Sequence, residues 1–322
     1  MAKIIHSVFS HKGMARQTNQ DYYLVDPERG MFFVCDGMGG ANGGDVVGSI
    51  ITRAMVKYLY IYETDDSLKS GKNSKRNSPP GCIDGILKAV TVSNALIYKL
   101  GKKRAELHGM GSTLALFKYI DGLACIVNVG DSRIYRVREN NIEQLTVDHS
   151  WVSDLVRSGE IDQQKAQKMS SRNVVNRVVG VTSKVALDYL ITRVNSGDTY
   201  VICSDGLYSK VEDHEILASL KSSGGGALDN SVSSLVELAN KRGGEDNITV
   251  IIVKIFRTDD ELASYAEDVL TKDIKSVPSD VLVDDELVDS LVKRIMRVLE
   301  KEKVVALRSI NMFMLLAVFL VI

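Results

Sequence analysis

The chain has 322 residues, 45% of them hydrophobic and 25% charged, enough apolar material for one large domain with an extension or for two domains. A formal net charge of −1 rules out a global basic field for nucleic acid or for a generally acidic partner. The cysteines Cys35, Cys82, Cys125 and Cys203 lie far apart with no CxxC pair, and three sit in apolar runs; they read as small buried hydrophobes rather than a disulfide framework or a zinc site.

The opening MAKIIHSVFSHKG has neither a long apolar core nor a small-residue cleavage site, so the main folded region is expected in the cytoplasm. Short apolar runs bounded by turn residues predict strands over 3–10 and 31–35. Apolar residues at helical spacing predict helices over 44–61 and 82–107, the second with Ile83, Ile86, Leu87, Val90, Leu96, Ile97 and Leu100 as its stripe. Between them, 63–81 is rich in Lys, Ser, Asn, Gly and Pro and reads as a surface loop. Strands follow over 113–119, 122–128 and 133–137, with Asp121-Gly122 and Asn140-Asn141 as turns. Gly111 and Gly130 also suit tight turns. Residues 151–180 read as mostly helical with an irregular, polar end. A strand over 199–203, helices near 213–221 and 228–241 joined by the Ser222–Gly226 connector, and a strand over 248–256 complete the unit. Strands with few helical crossovers point to an α+β fold with antiparallel sheet and segregated helices.

After Phe256 the character changes. Residues 1–257 form the expected catalytic domain. Residues 258–303 read as an acidic linker followed by an amphipathic helix over 281–303. The tail 304–322, VVALRSINMFMLLAVFLVI, is strongly apolar. Its charge-free part, Met312 to Ile322, covers roughly 16 Å at about 1.5 Å per residue, short of the roughly 30 Å hydrocarbon core. Counted back to Val304 it approaches a full span, and Lys301, Lys303 and Arg308 flank its N-terminal side in the positive-inside sense. The tail reads as an anchor in the inner (cytoplasmic) membrane; a partner-binding helix and an incomplete span are the alternatives.

Acidic residues recur at the ends of apolar runs: Asp21 in RQTNQD, Asp36 in FFVCDGMGG, Asp131 in VGDSR, Asp205 in ICSDG and Asp246 in EDNIT. Taken singly, each reads as a turn or a helix cap. Their repetition is the signal, because carboxylates crowded at strand ends repel each other and are costly to bury unpaired. A hard divalent cation removes that cost. Oxygen donors with almost no histidine nearby suit Mg²⁺ or Mn²⁺ rather than zinc. Gly37 lets the backbone come close, so its carbonyl can join the ligands. No Cys-x5-Arg phosphatase loop is present, and no Gly-Lys-Ser/Thr follows the glycines at 37–44.

In order, RQTNQD, FFVCDGMGG, GSTLAL, NVGDSRIYRV, LTVDHS, RNVVNRVVG, ICSDGLYSKV and EDNITV resemble the successive motifs of the metal-dependent protein phosphatases (PPM, type 2C), especially the bacterial branch, over roughly residues 3–256. The resemblance implies a four-layer αββα sandwich of two antiparallel sheets flanked by helices, with a binuclear Mn²⁺ or Mg²⁺ centre at one end. It implies that Asp36 bridges both ions, that Asp205 and Asp246 complete the first site, and that Asp21 and the Gly37 carbonyl serve the second. A third, weaker ion, as in bacterial relatives, would pair Asp131 with Asp205. Arg16 would grip the substrate phosphate. The implied activity is hydrolysis of phosphoserine and phosphothreonine in proteins by a metal-activated water, opposing a bacterial-type Ser/Thr kinase and acting on that kinase and its substrates. Residues 151–180 correspond to the family's variable flap.

Two departures from animal members are shared with bacterial ones. Position 20 is Gln rather than Glu, and position 38 is Met rather than the His that would protonate the leaving group. His149 is then the nearest general-acid candidate by motif, against a structural role after a strand; metal-bound water is the other donor. The same sequence also fits a regulatory phosphatase acting on an anti-sigma antagonist. A catalytically dead, membrane-tethered binding module would have lost a metal aspartate, and Asp21, Asp36, Asp205 and Asp246 are all present.

Overall fold

The computed structural model describes residues 3–64, 81–162, 165, 169, 174–222, 228–257, 270–271, 273–277 and 285–301. Two antiparallel sheets face each other. The first runs in the order β1 (Lys3–His11), β11 (Ile248–Arg257), β10 (Thr199–Cys203), β7 (Arg133–Arg138) and β8 (Asn141–Gln144). The second runs β12 (Lys275–Val277), β9 (Leu187–Arg193), β6 (Leu123–Val129), β5 (Leu114–Ile120), β3 (Met31–Met38) and β2 (Asp21–Asp26), with the two-residue β4 (Gly111–Ser112) against β3.

The inner faces carry Phe32, Val34, Phe117, Ile126, Ile134, Tyr200, Ile202, Ile251 and Val253, all buried. Phe117 and Tyr200 meet across the interface with ring centroids 4.4 Å apart. Each such side chain stabilises the packed state by about 1.5–3 kcal/mol through burial alone. The outer face of the second sheet is covered by α1 (Gly40–Thr64) and α2 (Gly81–Lys103), whose stripe Ile83, Ile86, Leu87, Val90, Leu96, Ile97 and Leu100 is fully part of that core. The outer face of the first sheet packs on α5 (Asp213–Ser222) and α6 (Leu228–Lys241), through Ile216, Leu228, Val232, Leu235, Val236 and Ala239. The result is the four-layer αββα sandwich.

Asp121 and Gly122 both adopt positive φ and close the β5–β6 hairpin as a primed turn. Gly130 also has positive φ, at 100°, whereas Gly111 is a strand residue paired with Met38, not a turn. The stretch 151–180 begins helical and ends irregular, as far as it is described. Its first turns form α3 (Trp151–Arg157), capped by the Ser150 hydroxyl accepting from the Ser153 N–H; residues 163–164, 166–168 and 170–173 lie outside the described residues. Gly159 at φ 79° follows, and a left-handed glycine ends a helix. The irregular end, 174–180, is held by antiparallel bridges, Ser150 with Val175 and Ser112 with Val179.

Beyond Phe256, β12 pairs with β9, and α7 (Asp285–Lys301) lies within the expected helical stretch. It packs on the catalytic unit: Val288, Leu291 and Val292 join the α1–α2 core, and Lys99 on α2 reaches Asp289 at 3.2 Å. No helix among the described residues is long and apolar enough to cross a membrane. The tail 304–322, most of the loop at 63–81 and most of the Ser222–Gly226 connector lie outside the described residues.

Candidate metal centre

Strand register brings the acidic clusters together. Asp21 opens β2 and is the direct cross-strand partner of Asp36 on β3. Asp205 opens α4 (Asp205–Tyr208), two residues after β10 ends. Asp246 stands just before β11, the neighbour of β10. Asp131 follows β6 in the turn to β7. All five meet at one end of the sandwich, because Asp36 feels the charges of Asp21, Asp205, Asp131 and Asp246.

Burial, then these four neighbours, push the Asp36 carboxyl well above the ordinary aspartate range. Burial pushes Asp21 up to about 7, with Asp205 and Asp246 adding to it against hydrogen bonds from Ser204 and Thr249. Burial, Asp205 and Asp148 push Asp131 up to about 7. Burial and Asp246 push Asp205 up to about 6, while a hydrogen bond with Asp36 works the other way. Two carboxylates in hydrogen-bonding contact need a proton or a cation between them.

The supporting bonds come from residues to which the sequence reading gave no role. The Ser204 hydroxyl donates to Asp21 Oδ2 at 2.7 Å and accepts from the Thr249 N–H. Asn247 ties down the β1–β2 loop at three points: its Oδ1 accepts from the Gln20 N–H, and its amide donates to the Lys12 and Thr18 carbonyls. Thr113 Oγ1 accepts from the Asp36 N–H, and Ser112 Oγ donates to the Asp36 carbonyl. The available signal was adjacency, since Ser204, Asn247 and Thr113 stand beside or opposite the motif aspartates.

The residues fit a divalent cation. Asp21 Oδ1 and Asp205 Oδ1 are buried with no hydrogen-bond partner, a costly arrangement for oxygen atoms of charged groups. The donor set is oxygen, which suits a hard ion. A Cβ on Gly37 would fall 2.2 Å from the Gly44 carbonyl oxygen and 2.6 Å from that of Gln20, so only glycine fits where the backbone crowds the centre. Among the described residues, no three Asp, Glu, His or Cys side chains form a ready cage for an ion. An ion held here would keep water among its ligands, as Mg²⁺-like ions usually do.

Arg16 lies at the rim, its side chain half exposed, with Nη2 2.8 Å from Asp246 Oδ2. His149 is only 1% exposed, with Nδ1 accepting from the Gly130 N–H and Nε2 on Asp188. Both ring nitrogens are occupied, which favours the structural reading over the general acid. Met38 is exposed at the end of β3. Cys35 and Cys203 are buried and free, and burial pushes both thiols far up, away from the thiolate a nucleophile needs.

Comparison with known proteins agrees with this fold. The protein phosphatase 2C family model matches residues 11–247. A serine/threonine phosphatase, stp, of Listeria welshimeri is 31% identical over 254 residues, covering 78% of this chain and 96% of its own length. The crystal structure of the Mycobacterium tuberculosis serine/threonine phosphatase PstP/Ppp superposes with a TM-score of 0.69 at 26% identity, over 80% of this chain and all of that one. The PstP catalytic domain in complex with two manganese ions superposes at 0.65, with 26% identity over 80% of this chain and all of that one. On the ordered motifs, the shared fold and the crowded carboxylates, the chain belongs to the protein phosphatase 2C family of divalent-metal-dependent phosphatases.

Proposed function

We propose that the chain hydrolyses phosphoserine and phosphothreonine in proteins, with Asp36 shared by two divalent ions, Asp205 and Asp246 on the first, and Asp21 and the Gly37 carbonyl on the second. Asp131 with Asp205 takes a third, weaker ion. The observation that carries this reading is the pair of buried, partnerless oxygens, Asp21 Oδ1 and Asp205 Oδ1, among carboxylates that push one another up. When bound, the ion pair supplies a water acidic enough to attack near neutral pH and offsets charge on the phosphoryl oxygens. The chain's own residues do the rest. Asn247, Ser204 and Thr113 hold the carboxylates in register, and Arg16 orients the phosphate from the rim with its guanidinium fork.

Arg16→Ala is expected to raise KM for a phosphothreonine peptide about tenfold or more, the scale of a lost hydrogen bond to a charged group, with kcat changing far less. Arg16→Lys restores only part, lacking the fork. Steady-state kinetics decides, and an unchanged KM removes Arg16 from the phosphate.

The cellular role that fits is signalling in opposition to a Ser/Thr kinase. Residues 1–257 are the catalytic unit; 258–303, expected as a linker, docks on that unit through β12 and α7; and 304–322 is an anchor in the cytoplasmic membrane, supported by the flanking Lys301, Lys303 and Arg308. Detergent-free fractionation should find the full chain with membranes and a chain ending at Lys303 in the soluble fraction; equal partitioning of both would sink the anchor.

A further inference from the structure

Asp188 sits on β9 opposite Asn128 of β6 and is 6% exposed. Three chain segments converge on it. His149 Nε2 lies 2.9 Å from its Oδ2. Arg177, from the stretch after α3, donates to its Oδ1 at 3.1 Å. Ser276 on β12 is its cross-strand partner and hydrogen-bonds its side chain. Burial opposes the Asp188 charge, yet the bonds from His149 and Ser276 and the charge of Arg177 hold its carboxyl below the ordinary range.

His149 passes this anchorage on to the metal end. Its ring Nδ1 accepts from the Gly130 N–H at 3.1 Å, so Nε2 carries the proton given to Asp188. Its backbone N–H donates to the Gly130 carbonyl at 2.9 Å. Gly130 is thus bracketed on both sides by one residue. It adopts φ 100°, and a Cβ there would meet Thr113 Cγ2 at 2.6 Å. The next residue is Asp131, and the bracket fixes where its carboxylate enters the site.

We propose that Asp188 is a positioning residue for the ion site at Asp131, acting through His149 and Gly130, and that Ser276 tunes it from the C-terminal segment. That segment lies outside the family match at 11–247; Thr271, just before β12, adds hydrogen bonds to the Ile191 backbone. The C-terminal extension therefore acts on ion affinity as well as serving as a tether. The inference rests on the assignment of an ion to Asp131.

The test is equilibrium dialysis of chelator-treated, full-length protein against Mn²⁺, with the thermal midpoint of the metal-free protein read alongside. Asp131→Ala should lose the weakest class of bound ion. Asp188→Asn should weaken that same class about tenfold or more, the usual scale for outer-shell partners, leaving the tighter ions unchanged. Ser276→Ala, at an exposed position, should weaken it in the same sense by roughly two- to threefold with the metal-free midpoint unmoved; this variant decides if Asp188→Asn does not fold. If Asp131→Ala loses the weak class while Asp188→Asn and Ser276→Ala bind as wild type, the positioning role is overturned. Equal weakening of all ions also overturns it, as a general loss of structure. If Asp131→Ala itself binds as wild type, the ion assignment fails and takes the inference with it.

Discussion

Asp36→Asn should abolish Mn²⁺-dependent hydrolysis of a phosphothreonine peptide while making the metal-free protein more stable. The two effects share one cause. Asp36 is buried against Asp21, Asp205, Asp131 and Asp246, and without cations this cluster works against folding. An amide keeps the shape and removes one charge from the repulsion. The metal-free midpoint should rise, on the order of 2–4 °C for each kcal/mol relieved in a domain of this size. Activity should fall by well over about 100-fold, since even outer-shell partners of a metal cost 10–100-fold. The rise in midpoint that Mn²⁺ gives the wild type should shrink, because an ion stabilises only the state that binds it. A variant that loses activity by misfolding would instead melt lower in chelator.

With metal removed, the protein should lose stability as pH rises from about 4 to about 7. Unfolded aspartates titrate near 3.9. In the folded chain, burial and neighbouring carboxylates push Asp21 and Asp131 up to about 7 and Asp205 up to about 6. Across this window the folded state holds protons that the unfolded state has released. Their stabilising contribution is complete below the unfolded value and is lost as pH rises through the folded values. Each extra proton held corresponds to about 1.4 kcal/mol per pH unit. Mn²⁺ takes the place of those protons, so its stabilising increment should grow with pH. Melting curves at pH 5, 6.5 and 8, with chelator and with Mn²⁺, read both trends. A metal-free midpoint that climbs over this range would show that the carboxylates are already compensated.

Much of this was legible in the sequence, for identifiable reasons. The core strands β3, β5, β6, β10 and β11 are apolar runs buried on both faces, and such runs announce themselves. β2 was hidden because DYYLVD mixes polar ends with half-buried tyrosines, and its first residue reads as part of the RQTNQD loop. β9 was hidden because LDYLITR mixes polar and charged residues with its apolar ones and is only partly buried, so it carries neither a continuous apolar run nor clean alternation. The five clustered aspartates could be found because each stands at an end of an apolar run: Asp36, Asp131 and Asp205 close or follow one, and Asp21 and Asp246 open or precede one. Their convergence depends on strand register, above all the pairing of Asp21 with Asp36, which no local pattern carries. Ser204, Thr113 and Asn247 were invisible as functional residues, because Ser, Thr and Asn beside Asp-Gly are ordinary turn chemistry. The role of Asp188 depends on β12 reaching it from almost ninety residues along the chain.

The most direct test of the centre is the number of Mn²⁺ ions retained in equilibrium dialysis by the wild type and by Asp36→Asn at pH 7.5. A carboxylate shared by two ions predicts at least two tightly held Mn²⁺ in the wild type and the loss of that tight pair in the variant. Equal ion counts and affinities in the two proteins would contradict it.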